Sequence, residues 1–419
     1  MDYLAASPGS IDVSTSSDSP TVQLESSADA AALVRQCAAD GRAIVDYGVA
    51  HAGLGYAPPQ LHTRVAMRGS VIEHYERDLA IRTSAGATIG ELRTQLAASR
   101  QTIPLDADDD LTIGEVLSHN VYGPNRLGFG SIRDHLLGLR YIDGQGDDIG
   151  VGGRTVKNVA GYDLTRFMAG GLGQFGLVTE ITMRTAALPE QAMTLDAGIN
   201  TPEQIDAHIT PWMLSAGAPA GIRLWLDGST WRLQSSWFGA PASCEAQQRA
   251  MLRQLEGNPG FDAADTQVSS WDAYQSRAAE GRRSRRNAAA LVKAIVPPAT
   301  TGKLVGELHR WATDQTDIAT NTILIDAMPA HGCVFIGGDL SASQAEALDG
   351  ELSKQLQSAA GACVWHARPV DARVTLFGPT QPEWNMLQAV KRTMDPQNIF
   401  NRERFLHRAV DPNGSTSTA

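Results

Sequence analysis

The chain has 419 residues, and its 35 Lys and Arg against 46 Asp and Glu give a net charge of −11. That acidic balance excludes a nucleic-acid partner, whose phosphates need a basic footprint, and no apolar run is long enough to span a bilayer. The four cysteines, at 37, 244, 333 and 363, form no CxxC pair, which argues against an iron–sulfur or zinc site and for reduced thiols in the cytoplasm.

A chain of this length is expected to hold two domains and a substantial core. Residues 1–20 are Ser-rich, acidic and aperiodic, and read as a disordered tail with neither the charged nor the apolar region of a signal peptide. Ser26–Asp40 reads as a capped helix with Ala31, Leu33, Val34 and Cys37 on its apolar side. A short strand at 43–48 enters the loop 47–55. Residues 65–86 read as two strands around a polar turn, and 88–100 as a helix with Ile89, Leu92 and Leu96 in phase. The stretch 101–130 reads as loop-rich with two glycine turns, and 136–153 as a hairpin about Asp143-Gly144.

Beyond Leu188 the composition changes, and all eight tryptophans lie between 212 and 384. A strand (193–199), helix (202–215), hairpin (221–238) and helix (241–255) are predicted first. A strand (289–296), helix (299–313), hairpin (321–338), helix (342–359) and strand (362–366) follow. This repeated β-α-β-β-α order predicts an antiparallel sheet with helices on one face. The one dense basic run, RRSRR at 282–286, lies between AAEG and NAAA and reads as an exposed loop. Residues 386–408 read as a helix and tail, and 409–419 as a second disordered tail.

The most informative stretch is Gly152–Glu180. Its run Gly176–Met183 is β-branched and bounded by glycines, the pattern of a buried strand. A helical turn starts at Asp163, with Leu164, Phe167 and Met168 in phase. Glycines 170, 171, 173 and 176 bring backbone close to something a Cβ would block. KNVAGYDLTRFMAGGLGQFGLVTE (157–180), GSIRDHLLGLRYIDGQG (130–146) and MDPQNIFNRERF (394–405) resemble FAD-linked oxidases of the vanillyl-alcohol oxidase type, most closely the flavin-binding E-type subunits of bacterial glycolate oxidases. The resemblance implies an α+β fold, with a two-lobed FAD-binding PCMH-type domain at 21–188 and an antiparallel-sheet cap or substrate domain at 189–385. It returns the segment 386–408 to the FAD domain. It also implies an FAD-binding subunit of a glycolate oxidase-like complex, which oxidises a small 2-hydroxy acid by hydride transfer to flavin. A sister flavin subunit and an iron–sulfur subunit would be its partners.

Carried over residue by residue, the resemblance puts Gly48, Val49, Ala50, His51 and Ala52 along the pyrophosphate. It puts Pro104, Leu105, Thr112, Ile113, Gly114, Ser118 and Asn120 around pyrophosphate and isoalloxazine. Gly123, Gly130, Ser131, Arg133 and Asp134 would follow the ribityl and ring side, and Gly176 and Val178 would approach adenine. The physical basis is that backbone N–H groups in glycine turns bind phosphates without cationic side chains. Two positions depart from the pattern. Val49, Ala50 and His51 follow a lone Gly48, and Glu115 replaces a second glycine after Gly114. A carboxylate against a pyrophosphate is repelled by about 4 kcal/mol at an effective dielectric of about 20, so Glu115→Gly is expected to strengthen flavin retention. Tyr162 and His119 are proton-acceptor candidates by type and position. No metal-spaced cluster, HExxH, GxSxG or phosphate-loop motif is present. The rival readings are a cofactor-free structural subunit of the same fold, favoured by Glu115 and the loop 47–55, and a stand-alone flavin oxidase.

Overall fold

The computed structural model describes residues 21–46, 62–153, 163–256, 260–262, 265–315, 323–369, 371–374, 377–378 and 382–402. The first half opens with β1 (Thr21–Leu24), α1 (Ser27–Ala39), β2 (Ala43–Asp46) and β3 (His62–Met67), whose strands form a parallel sheet in the order β1-β3-β2. The helix α1 begins where Ser26 accepts from the Asp29 amide, and Leu33, Val34 and Cys37 on its inner face are fully buried. β4 (Val71–Tyr75) and β5 (Ala80–Ser84) follow, then α2 (Ile89–Ala97), β6 (Gln101–Thr102), α3 (Ile113–His119), α4 (Arg126–Phe129) and α5 (Ile132–His135). β7 (Leu136–Ile142), β8 (Asp148–Gly152), α6 (Leu164–Phe167), β9 (Leu177–Arg184) and β10 (Ala186–Ala187) complete this half. An antiparallel sheet of order β4-β5-β9-β7-β8 forms here, with β9, the glycine-bounded run, at its centre.

Two sequence expectations change. The segment 65–86 holds the end of β3 as well as the β4–β5 hairpin, because β3 pairs into the other, parallel sheet. The loop-rich stretch 101–130 also holds the helices α3 and α4. Thr112 and Glu115 form a capping box that starts α3, matching the box of Thr88 and Glu91 that starts α2. The two starts are cross-linked, with the Ile89 amide donating to Leu111 O and the Ile113 amide to Ala87 O.

The second half contains β11 (Gln191–Ile199), α7 (Ile205–Met213), β12 (Gly221–Asp227), β13 (Thr230–Gly239), α8 (Pro241–Leu255), β14 (Asp265–Ser269) and α9 (Trp271–Arg286). It continues through β15 (Ala290–Ile295), α10 (Thr301–Asp314), β16 (Ile323–Met328), β17 (Cys333–Gly338), α11 (Ala342–Ala359) and β18 (Ala362–Ala367), and α12 (Trp384–Met394) lies beyond it. The eight strands run β14-β11-β13-β12-β16-β17-β15-β18. From the central β12–β16 pair the two halves read outward in matching order, so the duplicated β-α-β-β-α unit is a pseudo-symmetric sheet. Alternate residues split its faces. Ile222, Leu224, Leu233, Val292, Ile325 and Ile336 join the core beneath the helices, while Arg223, Gln234, Lys293, Asp326 and Phe335 occupy the alternate positions.

The polar face is covered by α9 and by the segment 122–130 of the first half. Asn125, almost fully buried, donates its amide and Nδ2 to Asp106 at 2.7 and 2.6 Å, and its Oδ1 accepts from the Tyr274 hydroxyl at 2.8 Å. Phe129, Phe238, Trp271 and Tyr274 stack beside this network. RRSRR is therefore not an exposed loop but the end of α9. Arg282 reaches Asp108 at 2.7 Å, and Arg285 is buried against Asp326 at 2.9 Å. Among the described residues, no helix is long and apolar enough to cross a membrane. Asn125→Ala would remove the Nδ2 bond to Asp106 and the Oδ1 acceptor of the Tyr274 hydroxyl in the interior, and should lower the unfolding free energy by roughly 2 kcal/mol in denaturant titrations.

Candidate functional site

A pocket opens in the first half between the end of β3, the start of α3 and the glycine-rich turn before β9. Thr112, Gly114, Ser118, Gln174, Gly176 and Val178 are among the residues that line it. The turn is held to α3 by the Gly170 amide on Leu117 O and the Leu172 amide on Ser118 O. Gly176, at φ 153°, must lack a side chain, since a Cβ there would lie 2.7 Å from Tyr141 Cδ2. Gly114 is needed for a different contact, because a Cβ would meet Ala85 O at 2.8 Å. Its amide already donates to that same oxygen at 2.8 Å, so this glycine packs backbone on backbone instead of offering an N–H to a ligand.

Some hydrogen-bonding capacity at and beside the pocket is unfilled. Ser118 Oγ, Asn120 Oδ1 and Gln174 Nε2 are buried without a partner, an arrangement that costs stability unless a polar ligand completes it. Glu115 borders the same pocket, but its carboxylate accepts from the Thr112 amide at 2.7 Å. Glu115→Gly would therefore also remove a helix cap, a cost to set against any gain in flavin retention.

Of the other residues singled out in the sequence, Ile113 is in the core behind the pocket, and Asn120 is the left-handed C-cap of α3. Pro104 and Leu105 lie in a buried stretch, with Leu105 O accepting from Arg93 at 2.7 Å. Gly123 packs against Asp106. Gly130, Ser131 and Asp134 belong to the capping box of α5, and Arg133 is exposed beside them. None of these lines the pocket. Gly48, Val49, Ala50, His51, Ala52, Lys157, Asn158 and Tyr162 fall outside the described residues.

Sequence reasoning returned the segment 386–408 to the FAD domain but did not single out the residues that clamp this pocket. Lys391 on α12 donates from Nζ to Gln174 O at 2.7 Å, to Phe400 O at 2.8 Å and to Asp395 at 2.5 Å. Asp395 in turn accepts from the Ile399 and Phe400 amides, both at 2.9 Å. Asn401 Nδ2 reaches Leu172 O and Gly173 O, while its amide bonds Ile44 O in β2. The signal available was the Asp-Pro-Gln-Asn-Ile-Phe-Asn run itself, since Asp and Asn favour such local turns.

Where the halves meet, Asp326 is bound by Arg223 at 2.9 Å and by Arg285. Burial alone would raise its carboxyl, but the two guanidiniums outweigh that and hold it below the usual carboxylate range. Burial, with Lys293, His119 and Arg285 nearby, pushes His366 down to about 3, and burial with Arg126 pushes His331 down to about 4. A cavity of ≈ 260 Å³ beside α9 is lined by Arg223, Trp225, Arg232, Gln234, Tyr274 and Arg277.

Residues 19–165 match the model of the FAD binding domain family. The chain is 30% identical over 164 residues to the glycolate oxidase subunit GlcE of Escherichia coli (strain K12), covering 38% of this chain and 46% of that protein. It is 42% identical over 84 residues to the glycolate oxidase subunit GlcD of Bacillus subtilis (strain 168), covering 20% and 18%. The matches thus span less than half the length of these curated relatives. A solved alkyldihydroxyacetonephosphate synthase superposes with a TM-score of 0.68 at 14% identity, over 93% of this chain and 78% of its own.

Two outcomes are expected from this geometry. Lys391→Met strands Asp395 and loosens the Gln174 turn, so it should cost roughly 3 kcal/mol in chemical denaturation and raise the dissociation constant for FAD. Both depressed histidines are held neutral in the fold, while in the unfolded chain they bind protons near the ordinary value of 6.5. Stability is therefore full above about pH 6.5 and falls toward pH 4, as melting curves across that range should record, with a smaller slope for His366→Phe. The pocket's orphaned polar atoms suit a polyhydroxylated nucleotide, and the match of residues 19–165 to the FAD binding domain family identifies that nucleotide as FAD.

Proposed function

We propose that this chain is the FAD-binding subunit of a glycolate oxidase-like complex in the cytoplasm, and that it oxidises a small 2-hydroxy acid. The observation that carries this reading is the course of α3. Ser118 lines the FAD pocket, while His119, the next residue, lies in the field of His366 on the second sheet. The cofactor site and the polar face of the sheet therefore meet, and a small substrate held at this junction would be within reach of both. When bound, FAD supplies the hydride acceptor.

The chain's own residues have simpler tasks. Ser118 and Gln174, which line the pocket, hold the cofactor through their unpartnered polar atoms. His119 receives the proton of the substrate hydroxyl, a role for which its half-buried place at the end of α3 is suited. Residues 21–188 act as the FAD domain, 189–385 as the cap that carries the substrate, and 386–408 as the returning clamp. The names of the two similar subunits support assembly with a sister flavin subunit, and an iron–sulfur subunit would take up the electrons.

The test is purification of the chain alone and with co-expressed partners, followed by FAD release on denaturation and glycolate-dependent dye reduction. Stoichiometric FAD with glycolate turnover is expected. A colourless chain that takes up no added FAD would sink the reading in favour of a cofactor-free structural subunit. His119→Ala should lower kcat by about 100-fold with FAD content unchanged, and full activity in that variant would remove His119 from its role.

A further inference from the structure

On the polar face of the second sheet, Lys293 has no carboxylate within ion-pair distance among the described residues. Lys293, half-buried on β15, points to the same side as Leu291 and Ile295, toward the first half of the chain. Its ammonium lies 4.1 Å from the centre of the Tyr122 ring and 5.9 Å from that of Phe335. Arg126 stacks on the same Tyr122 ring at 4.5 Å, and Arg285 on Phe335 at 4.6 Å. Three cations thus converge on two aromatic rings.

The carboxylates nearby are already engaged. Asp326 is shared between Arg223 and Arg285. Asp134, in electrostatic reach of Arg126, accepts from the Ser131 amide and hydroxyl, both at 2.8 Å. Among the described residues, no carboxylate lies within ion-pair distance of Lys293, and what surrounds it is the Cys333 thiol, held by Tyr122, and the neutral His366. A desolvated, unpaired ammonium between two guanidiniums lowers stability, and burial, opposed by Cys333 and reinforced by Arg126 and Arg285, displaces Lys293 below its ordinary titration range. Such a cost persists where a ligand offsets it.

The geometry points to Lys293, assisted by Arg126, as the hook for the carboxylate of a small organic acid at the junction of the two halves. This rests on the proposed oxidation of a 2-hydroxy acid for its choice of ligand, but its evidence is separate: an aromatic-walled cluster with excess positive charge. The site adjoins the FAD pocket through one short run, since Ser118 lines the pocket and Tyr122 forms the floor beneath Lys293. The carboxylate would sit against Lys293 and Arg126, leaving the rest of the acid directed along α3.

The experiment is calorimetric titration of the full, FAD-loaded chain with oxalate, a small carboxylate that has no hydroxyl to oxidise. The wild type should bind it. Lys293→Met should weaken binding by about 30-fold or more, Lys293→Arg should retain most of it, and Arg126→Gln should give an intermediate loss. In the absence of any anion, Lys293→Met should melt at the same temperature or higher, which a structural lysine would not permit. Should that variant fail to fold, Lys293→Arg and Arg126→Gln still decide the matter. Oxalate binding that is absent in the wild type, or equal in all variants, overturns the assignment. Lysine-dependent oxalate binding without any glycolate turnover would keep this site and defeat the proposed reaction instead.

Discussion

The eight-stranded sheet is buried on both faces, and only one of them is apolar. Helices α7, α8, α10 and α11 cover the apolar face in the ordinary way. The other face presents Arg223, Asp326, Lys293 and Asp196 at alternating strand positions, and each buried charge there needs a partner or becomes a liability. Most of the partners come from α9 and from the segment 122–130, so the contact between the halves is a matched polar network. Asn125 is its centre, with its amide and all of its side-chain bonding capacity but one Nδ2 hydrogen assigned to Asp106, Tyr274 and Ser236. The same requirement explains why the glycines of this segment serve close packing, with Gly123 against Asp106 and Gly128 against Ala220.

The sequence was most legible where local chemistry decides structure. The helices over 241–255 and 342–359 match α8 and α11 end to end, because Pro241 and the Ser341 cap mark their starts unambiguously. The repeated strand and helix order was visible, but the pairing of β12 with β16 was not, since no local pattern encodes which hairpins meet. RRSRR was misread for a related reason. Its acidic partners, Asp108 and Asp326, lie 174 and 41 positions away, so only the folded chain shows that Arg282 and Arg285 are internal.

The twin Thr-Ile-Gly-Glu runs show how one pattern admitted two readings. At 88–91 it was taken for a helix start, and at 112–115 for part of a cofactor loop. Both are capping boxes. The Gly114 amide is thus taken by Ala85 O, while Ser118 and Gln174 bring unpartnered side-chain atoms to the pocket. Gln174 is itself fixed from a distance, because its carbonyl receives Lys391. The residues that define the pocket most tightly were thus the least visible in sequence, being set by contacts that only the complete tertiary arrangement creates.

The clamp formed by Lys391, Asp395 and Asn401 has a consequence for biosynthesis. Arg402 bonds Gly41 O across 361 positions, and the Ile399–Asn401 backbone pairs with Ile44. A nascent chain emerging from the ribosome therefore exposes the nucleotide lobe long before the residues that brace it have been translated. Flavin capture becomes a late event, gated by the arrival of one short segment, and a stalled or prematurely terminated polypeptide would be left with an open, unbraced lobe.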